Sequence, residues 1–196
     1  MSVKKISDYD GGLLNHLEAV YRPGDHELAV EFLQALGLSV AEIKFTQTST
    51  KRLVAVHPNA NDRDPTQNVM YLYEMAPAHA ELDAVMQKKL ASDPELQGAM
   101  AKFREVVRQT PGGTPHFGLR YTSAKALEPV LENLQSKVSP ALHERVTVKE
   151  MPPYDVKEGM PSIRQVFVYT DVITASPGGY GQLIELQVDR GKEGSA

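Results

Sequence analysis

The chain has 196 residues, 41% of them hydrophobic and 23% charged, enough to bury a core and too apolar for long disorder. A net charge of −4 without a Lys/Arg run, and no Trp, argue against a nucleic-acid surface or base-stacking platform. No stretch nears the roughly 18 apolar residues of a membrane span, Met1–Asp10 lacks the apolar run of a secretory leader, and zero cysteines exclude disulfides and thiolate sites.

These features lead to the expectation of a cytoplasmic enzyme or small-molecule binder. Leu13–Tyr21 (LLNHLEAVY) alternates apolar and polar residues and predicts a half-buried strand. Arg22-Pro23-Gly24-Asp25 breaks it, with Asp25 placed to cap a helix. In that helix Leu28, Phe32, Leu33 and Leu36 form an apolar stripe, and Gly37 stands at the C-terminal cap. Ser39–Phe45, Arg52–His57 and Asn68–Met75 then read as strands, with Pro58–Gln67 as a loop. The order is β-α-β-β-β.

A helical insertion follows. Ala80–Leu90 is one helix, and Ser92-Asp93-Pro94-Glu95 starts another, capped by Asp93 ahead of Pro94 or by a Ser92/Glu95 capping box. Leu96, Met100, Phe103 and Val107 mark the face it packs on the body or on a second subunit. Thr110-Pro111-Gly112-Gly113 is the linker. Beyond it His116–Thr122 (HFGLRYT) is a strand, Ser123 a cap, and Leu127, Val130, Leu131 and Leu134 a helix stripe. Val146–Met151, Gln165–Val172 and Gln182–Val188 are strands, separated by the loops Pro152–Ser162 and Thr174–Gly181. The second half repeats the order of the first, so the fold class is α+β. Two βαβββ modules, 12–78 and 114–189, flank the insertion and linker at 79–113.

Aligning the modules element by element pairs His16 in NHLEAVY with His116 in HFGLRYT, and Glu74 in MYLYEM with Glu185 in QLIELQV. Alternation places His16, Glu18 and Val20 on one face of the first strand, and His116, Gly118, Arg120 and Thr122 on the matching face of its counterpart. Singly, each histidine would be an ordinary hydrogen-bonded strand residue and each glutamate an edge charge. Repetition at equivalent positions turns the set into a candidate centre. Two imidazoles and two carboxylates suit one divalent ion among Zn, Ni, Co, Fe and Mn. The other histidines, His26, His57, His79 and His143, read as solvent-facing.

With its repeated unit and these four positions, the sequence resembles the vicinal oxygen chelate superfamily, which includes glyoxalase I, extradiol dioxygenases and bleomycin-resistance proteins. The resemblance covers roughly 12–78 and 114–189. It implies an open, eight-stranded cup with His16, Glu74, His116 and Glu185 as metal ligands. It further implies a glyoxalase-type lyase or isomerase acting on a small oxygen-rich substrate through a metal-stabilised enediolate. Glu185, and Glu74 on the opposite face, would move the proton, and Arg120 would hold an anionic substrate group. A ring-cleaving dioxygenase and a non-catalytic ligand-sequestering protein are the alternatives. Whether the modules pair within a chain or across a homodimer stays open. Neither nucleic acid nor membrane is an expected partner. The glycine-rich Gly178–Gly181 is a turn or a lid over the cup.

Overall fold

The computed structural model describes residues 16–43, 53–61, 63, 68–152, 163–175 and 181–189. Through them run β1 (His16–Tyr21), α1 (His26–Ala35), β2 (Ser39–Ile43), β3 (Leu53–His57), β4 (Val69–Glu74), α2 (Pro77–Ser92) and α3 (Pro94–Gln109). The second half carries β5 (Phe117–Arg120), α4 (Ala124–Glu132), α5 (Pro140–His143), β6 (Val146–Glu150), β7 (Ile163–Thr170), β8 (Ile173–Thr174) and β9 (Gln182–Asp189). The class is α+β, and the described residues form five α-helices and two open sheets. The expected strand ends at Leu13–Asn15, Lys44–Phe45 and Arg52 lie outside the described residues, as do most of the Pro152–Ser162 loop and Gly178–Tyr180.

The first sheet is ordered β2-β3-β4-β1-β8 and the second β5-β9-β7-β6. Each contains one parallel pair, β1 with β4 and β5 with β9, with antiparallel neighbours beyond it. Parallel neighbours need a long return of the chain, which α1 with β2 and β3, or α4 with β6 and β7, supplies. Thr174, expected in a loop, instead ends β8. This two-residue strand pairs Ile173 with Tyr21 and Thr174 with Val20 on the edge of β1, so the second half of the chain reaches into the first sheet.

Local chemistry explains most boundaries. In α1 the residues three and four apart, Ala29, Phe32 and Leu33, are buried. Gly37 then takes the left-handed φ of 75° that a side chain would disfavour. The amide of Leu38 donates back to Leu33 at 3.2 Å, closing the helix end. Asp25 does precede α1, yet it makes no side-chain cap bond. Its carboxylate pairs with the Arg145 guanidinium at 2.9 Å, a charge-assisted bond stronger than one to a neutral amide. Asp93 does cap α3, accepting from the amides of Glu95 at 3.0 Å and Leu96 at 3.1 Å ahead of Pro94. Ser123 caps α4 through the amide of Ala126 at 3.2 Å.

The helix stripes meet in one hydrophobic cluster drawn from both halves. Phe32 and Leu33 of α1, Val54 and Leu72 of the first sheet, Leu127 and Leu131 of α4, and Val168, Ile184 and Leu186 of the second sheet all belong to it. Each fully buried side chain of this kind contributes roughly 1.5–3 kcal/mol relative to exposure. The insertion stands apart from that cluster. Of the expected α3 stripe, Met100 and Val107 are buried, whereas Leu96 and Phe103 stay more than a third exposed.

Candidate functional site

Both sheets divide their side chains by alternation. In β1, Leu17, Ala19 and Tyr21 pack toward the core, and His16 and Glu18 are exposed on the opposite face. In the second sheet the ladder aligns Gly118 with Glu185 and Glu185 with Phe167, so these three share the face away from the helices. His116, two residues before Gly118, lies on that face as expected.

There Glu185 is buried, with its residue only 5% exposed. A carboxylate held so dry is costly unless paired. Its partners are His116, whose Nε2 lies 3.3 Å from Glu185 Oε2, and the side-chain amide of Gln165, which donates to Oε1. The imidazole Nδ1 lies 2.7 Å from the carbonyl of Thr114. A carbonyl can only accept, so Nδ1 carries a hydrogen. The Phe167 ring meets the imidazole edge-on, with centroids 5.4 Å apart. Gln165 Oε1 is buried with no hydrogen-bond partner among the described residues, an acceptor beside the pair. Gly118 leaves room next to Glu185, since a Cβ there would sit 3.8 Å from Oε2.

The first sheet does not repeat this arrangement with Glu74. β1 and β4 are parallel, with His16 opposite Val69 and Tyr21 opposite Glu74. Five residues separate Val69 from Glu74, roughly 16 Å along a strand. Alternation also sends Glu74 to the opposite face from His16, and Glu74 is exposed at the strand end. The register identifies the true counterpart of Glu185. Gly118 pairs with Glu185 two residues after His116, and Glu18 pairs with Tyr71 two residues after His16. Tyr71 therefore holds the equivalent position, and its ring lies 5.9 Å from that of His16. Nearby, burial and the Glu18 carboxylate push the Tyr73 phenol above its ordinary value. The signal was present in the sequence: Glu185 sits mid-strand between Ile184 and Leu186, whereas Glu74 borders the break at Ala76-Pro77.

His16, Glu74, His116 and Glu185 are thus not brought together. Among the described residues no group of three or more His, Asp or Glu side chains converges as a metal site would require. A structural or catalytic ion takes three or four protein donors, and only the His116/Glu185 pair is in place, so the residues do not fit the expected quartet. Arg120 lies on the same face as Glu185, exposed, and its guanidinium donates to Gln187 at 3.4 Å. Three other histidines differ from expectation: His57 is buried, His79 is half-buried with its Nε2 enclosed, and His26 is within hydrogen-bond distance of Tyr21 Oη and Glu42, both at 3.1 Å.

The sequence reading also missed what covers this face. α3 lies across the second sheet, with Val107 packed on Phe167 and Leu183. Between them is a cavity of about 260 Å³ whose lining includes Arg104, Thr147, Lys149 and Tyr169. Gly181 leaves the space the Tyr169 phenol occupies, since a Cβ there would come within 2.6 Å of the phenol oxygen. Burial raises the Tyr169 phenol, an effect the neighbouring Arg104 opposes.

No protein-family model matches the chain, and no curated protein does either. Two solved structures are similar at a low level. One is a provisionally named dioxygenase from Bacillus subtilis, 11% identical over 90% of this chain with a TM-score of 0.24; the chain spans only 62% of that protein's length. The other is a provisionally named glyoxalase superfamily protein from Ralstonia eutropha JMP134, 13% identical over 91% of this chain and 72% of its own, with a TM-score of 0.22. Neither likeness decides the chemistry of this chain. No helix among the described residues is long and apolar enough to cross a membrane.

Proposed function

We propose that the chain is a vicinal-oxygen-chelate-type protein whose second sheet carries proton-transfer chemistry, as an isomerase or lyase of a small oxygen-rich molecule. The observation behind this reading is the buried Glu185 carboxylate, held by His116 and Gln165 on the face away from the core. The recurrence of a parallel first-and-last strand pair in both sheets supports the family and its two paired modules. β8 joining the first sheet links the second half of the chain to the first.

Glu185 takes a proton from the carbon beside a substrate carbonyl and returns it to the neighbouring carbon. His116, fixed by Thr114 through Nδ1, sets its Nε2 against the carboxylate and holds Glu185 in position. Gln165 orients the second carboxylate oxygen. No step is assigned to Glu74, which lies on the other face of its sheet, or to a four-donor ion. Ring cleavage by the two-His, one-carboxylate set of extradiol dioxygenases finds only one histidine beside Glu185.

A direct test follows loss of the α-proton NMR signal when α-hydroxy aldehydes and α-hydroxy ketones are incubated with the protein in D₂O. Exchange is expected, is expected to survive dialysis against EDTA, and should be abolished in Glu185→Gln with the fold unchanged by circular dichroism. Full activity in Glu185→Gln would sink the assignment. Loss on chelation, restored by one divalent ion per chain, would return the metal-dependent mechanism to first place. Saturable ligand binding without any exchange would favour the sequestering alternative, which the cavity under α3 makes worth measuring.

A further inference from the structure

We propose that the cavity between α3 and the second sheet is a binding site for a small organic anion, a carboxylate or phosphate on an apolar body about the size of an aromatic ring. The cavity brings Arg104, Arg108, Arg145 and Lys149 together against two acids, Glu144 and Asp171. Asp171 is already taken up by Arg145, at 2.7 Å, and Arg145 also pairs with Asp25. Arg108 bonds Glu105 at 3.4 Å on the surface.

Two cations are left with neutral partners. The Lys149 ammonium donates to the backbone carbonyl of Arg108, and the Arg104 guanidinium lies close enough to the Tyr169 phenol for its charge to act on it. Neither forms an ion pair among the described residues. In a chain of net charge −4, these two cations, without an ion pair among the described residues and facing the single further acid Glu144, leave the concavity net positive, and that potential draws an anion in.

The rest of the cavity suits an apolar body. Phe167, Val107 and Leu183 pack into one cluster beneath it, and about 260 Å³ exceeds the ~150 Å³ that accommodates benzene in a dry protein cavity. A guanidinium and an ammonium lining the same cavity as an aromatic ring and two aliphatic side chains fit an oxyanion attached to a ring better than a free inorganic ion. Arg104 and Arg108 come from the insertion helix, so this site depends on the segment that distinguishes the chain from a bare pair of modules. Phe167 connects it to the reacting pair, because its ring touches His116 and its ladder partner is Glu185. That the bound anion is the substrate rests on the proton-transfer reading; binding itself does not.

Isothermal titration of the full chain with benzoate and phenyl phosphate, with benzyl alcohol as the neutral analogue, tests the site. The anions are expected to bind saturably at a ratio of about one per chain, more weakly as salt rises, and benzyl alcohol is expected not to. Arg104→Met and Lys149→Met should each weaken anion binding by about tenfold or more, with partial recovery in Arg104→Lys. Lys88→Met, on exposed α2, should bind as the parent does. Thermal unfolding of each variant checks that it is folded. Tighter phenyl phosphate or tighter benzoate identifies the anionic group. Equal binding of benzyl alcohol, no saturation by either anion at millimolar concentration, or unchanged affinity in folded Arg104→Met and Lys149→Met overturns the proposal. Glu185→Gln should bind both probes normally, so a failed exchange assay and a failed binding assay are separate results.

Discussion

At the scale of single residues, the His116/Glu185 pair is asymmetric in what each member needs. Glu185 is the more buried, its side chain 7% exposed against 21% for His116. Removing the imidazole leaves a dry carboxylate held only by Gln165, while removing the charge leaves a neutral amide of the same shape. His116→Ala is therefore expected to lower stability by about 1–3 kcal/mol, and Glu185→Gln to change it by less than about 1 kcal/mol. Urea denaturation of the two variants under identical conditions gives the comparison. A larger loss in Glu185→Gln than in His116→Ala would show that the carboxylate is a structural anchor. At this scale the sequence was half legible. The histidines on the polar face could be read from alternation, and Glu185 from its apolar neighbours Ile184 and Leu186 and its place in the repeated unit. Tyr71 could not, because matching by residue type favoured a glutamate three positions on, and only the ladder register shows that Glu74 is out of phase.

Among the elements, the α2–α3 insertion is held at two points of different chemistry. α3 docks through Val107 on Phe167 and Leu183. α2 docks through Asp83, whose carboxylate takes the Arg22 guanidinium at 2.7 Å, while Arg22 also donates to the backbone of Asp171 at 3.1 Å. Burial alone would raise the Asp83 carboxyl, but the hydrogen bond and charge of Arg22 outweigh it and hold the group below its ordinary value. A carboxyl depressed in the folded state stabilises the fold fully above the unfolded range near pH 4. That contribution drains away as pH falls through the lower folded value. Stability should therefore drop on acidification below about pH 4 more steeply in the parent than in Asp83→Asn. The variant should also be less stable at neutral pH by roughly 1–2 kcal/mol. Parallel acid-limb slopes in thermal melts across pH would disprove the role of the pair. The helices, their Asp93 and Ser123 caps and most of the strands were legible because local periodicity and capping chemistry determine them. The docking of α3 over the second sheet, the short β8 and the diversion of Asp25 from cap to ion pair depend on partners 60 or more residues distant, which no local pattern encodes.

For the molecule as a whole, the two halves are tied at several independent points. Arg145, in the second half, joins Asp25 at the start of α1 to Asp171 after β7. The amide and hydroxyl of Ser139 both bond the Glu31 carboxylate of α1, at 2.5 and 2.8 Å, and the Tyr121 hydroxyl donates to the Leu36 carbonyl at 2.7 Å. Beneath these bonds the hydrophobic cluster draws on strands and helices of both halves without a seam. Neither half can then lose its structure without exposing apolar surface of the other, and the two should unfold together. Urea unfolding followed by far-ultraviolet circular dichroism and by tyrosine fluorescence, available because the chain has eight Tyr and no Trp, is expected to give coincident transitions. Arg145→Leu should move both curves to lower urea together, since it removes a bridge between the halves. If it splits the transition in two, the ion-pair bridge rather than the shared core couples the sheets. If the parent already unfolds in two steps, the sheets are separate folding units and the cluster between them is too weak to join them.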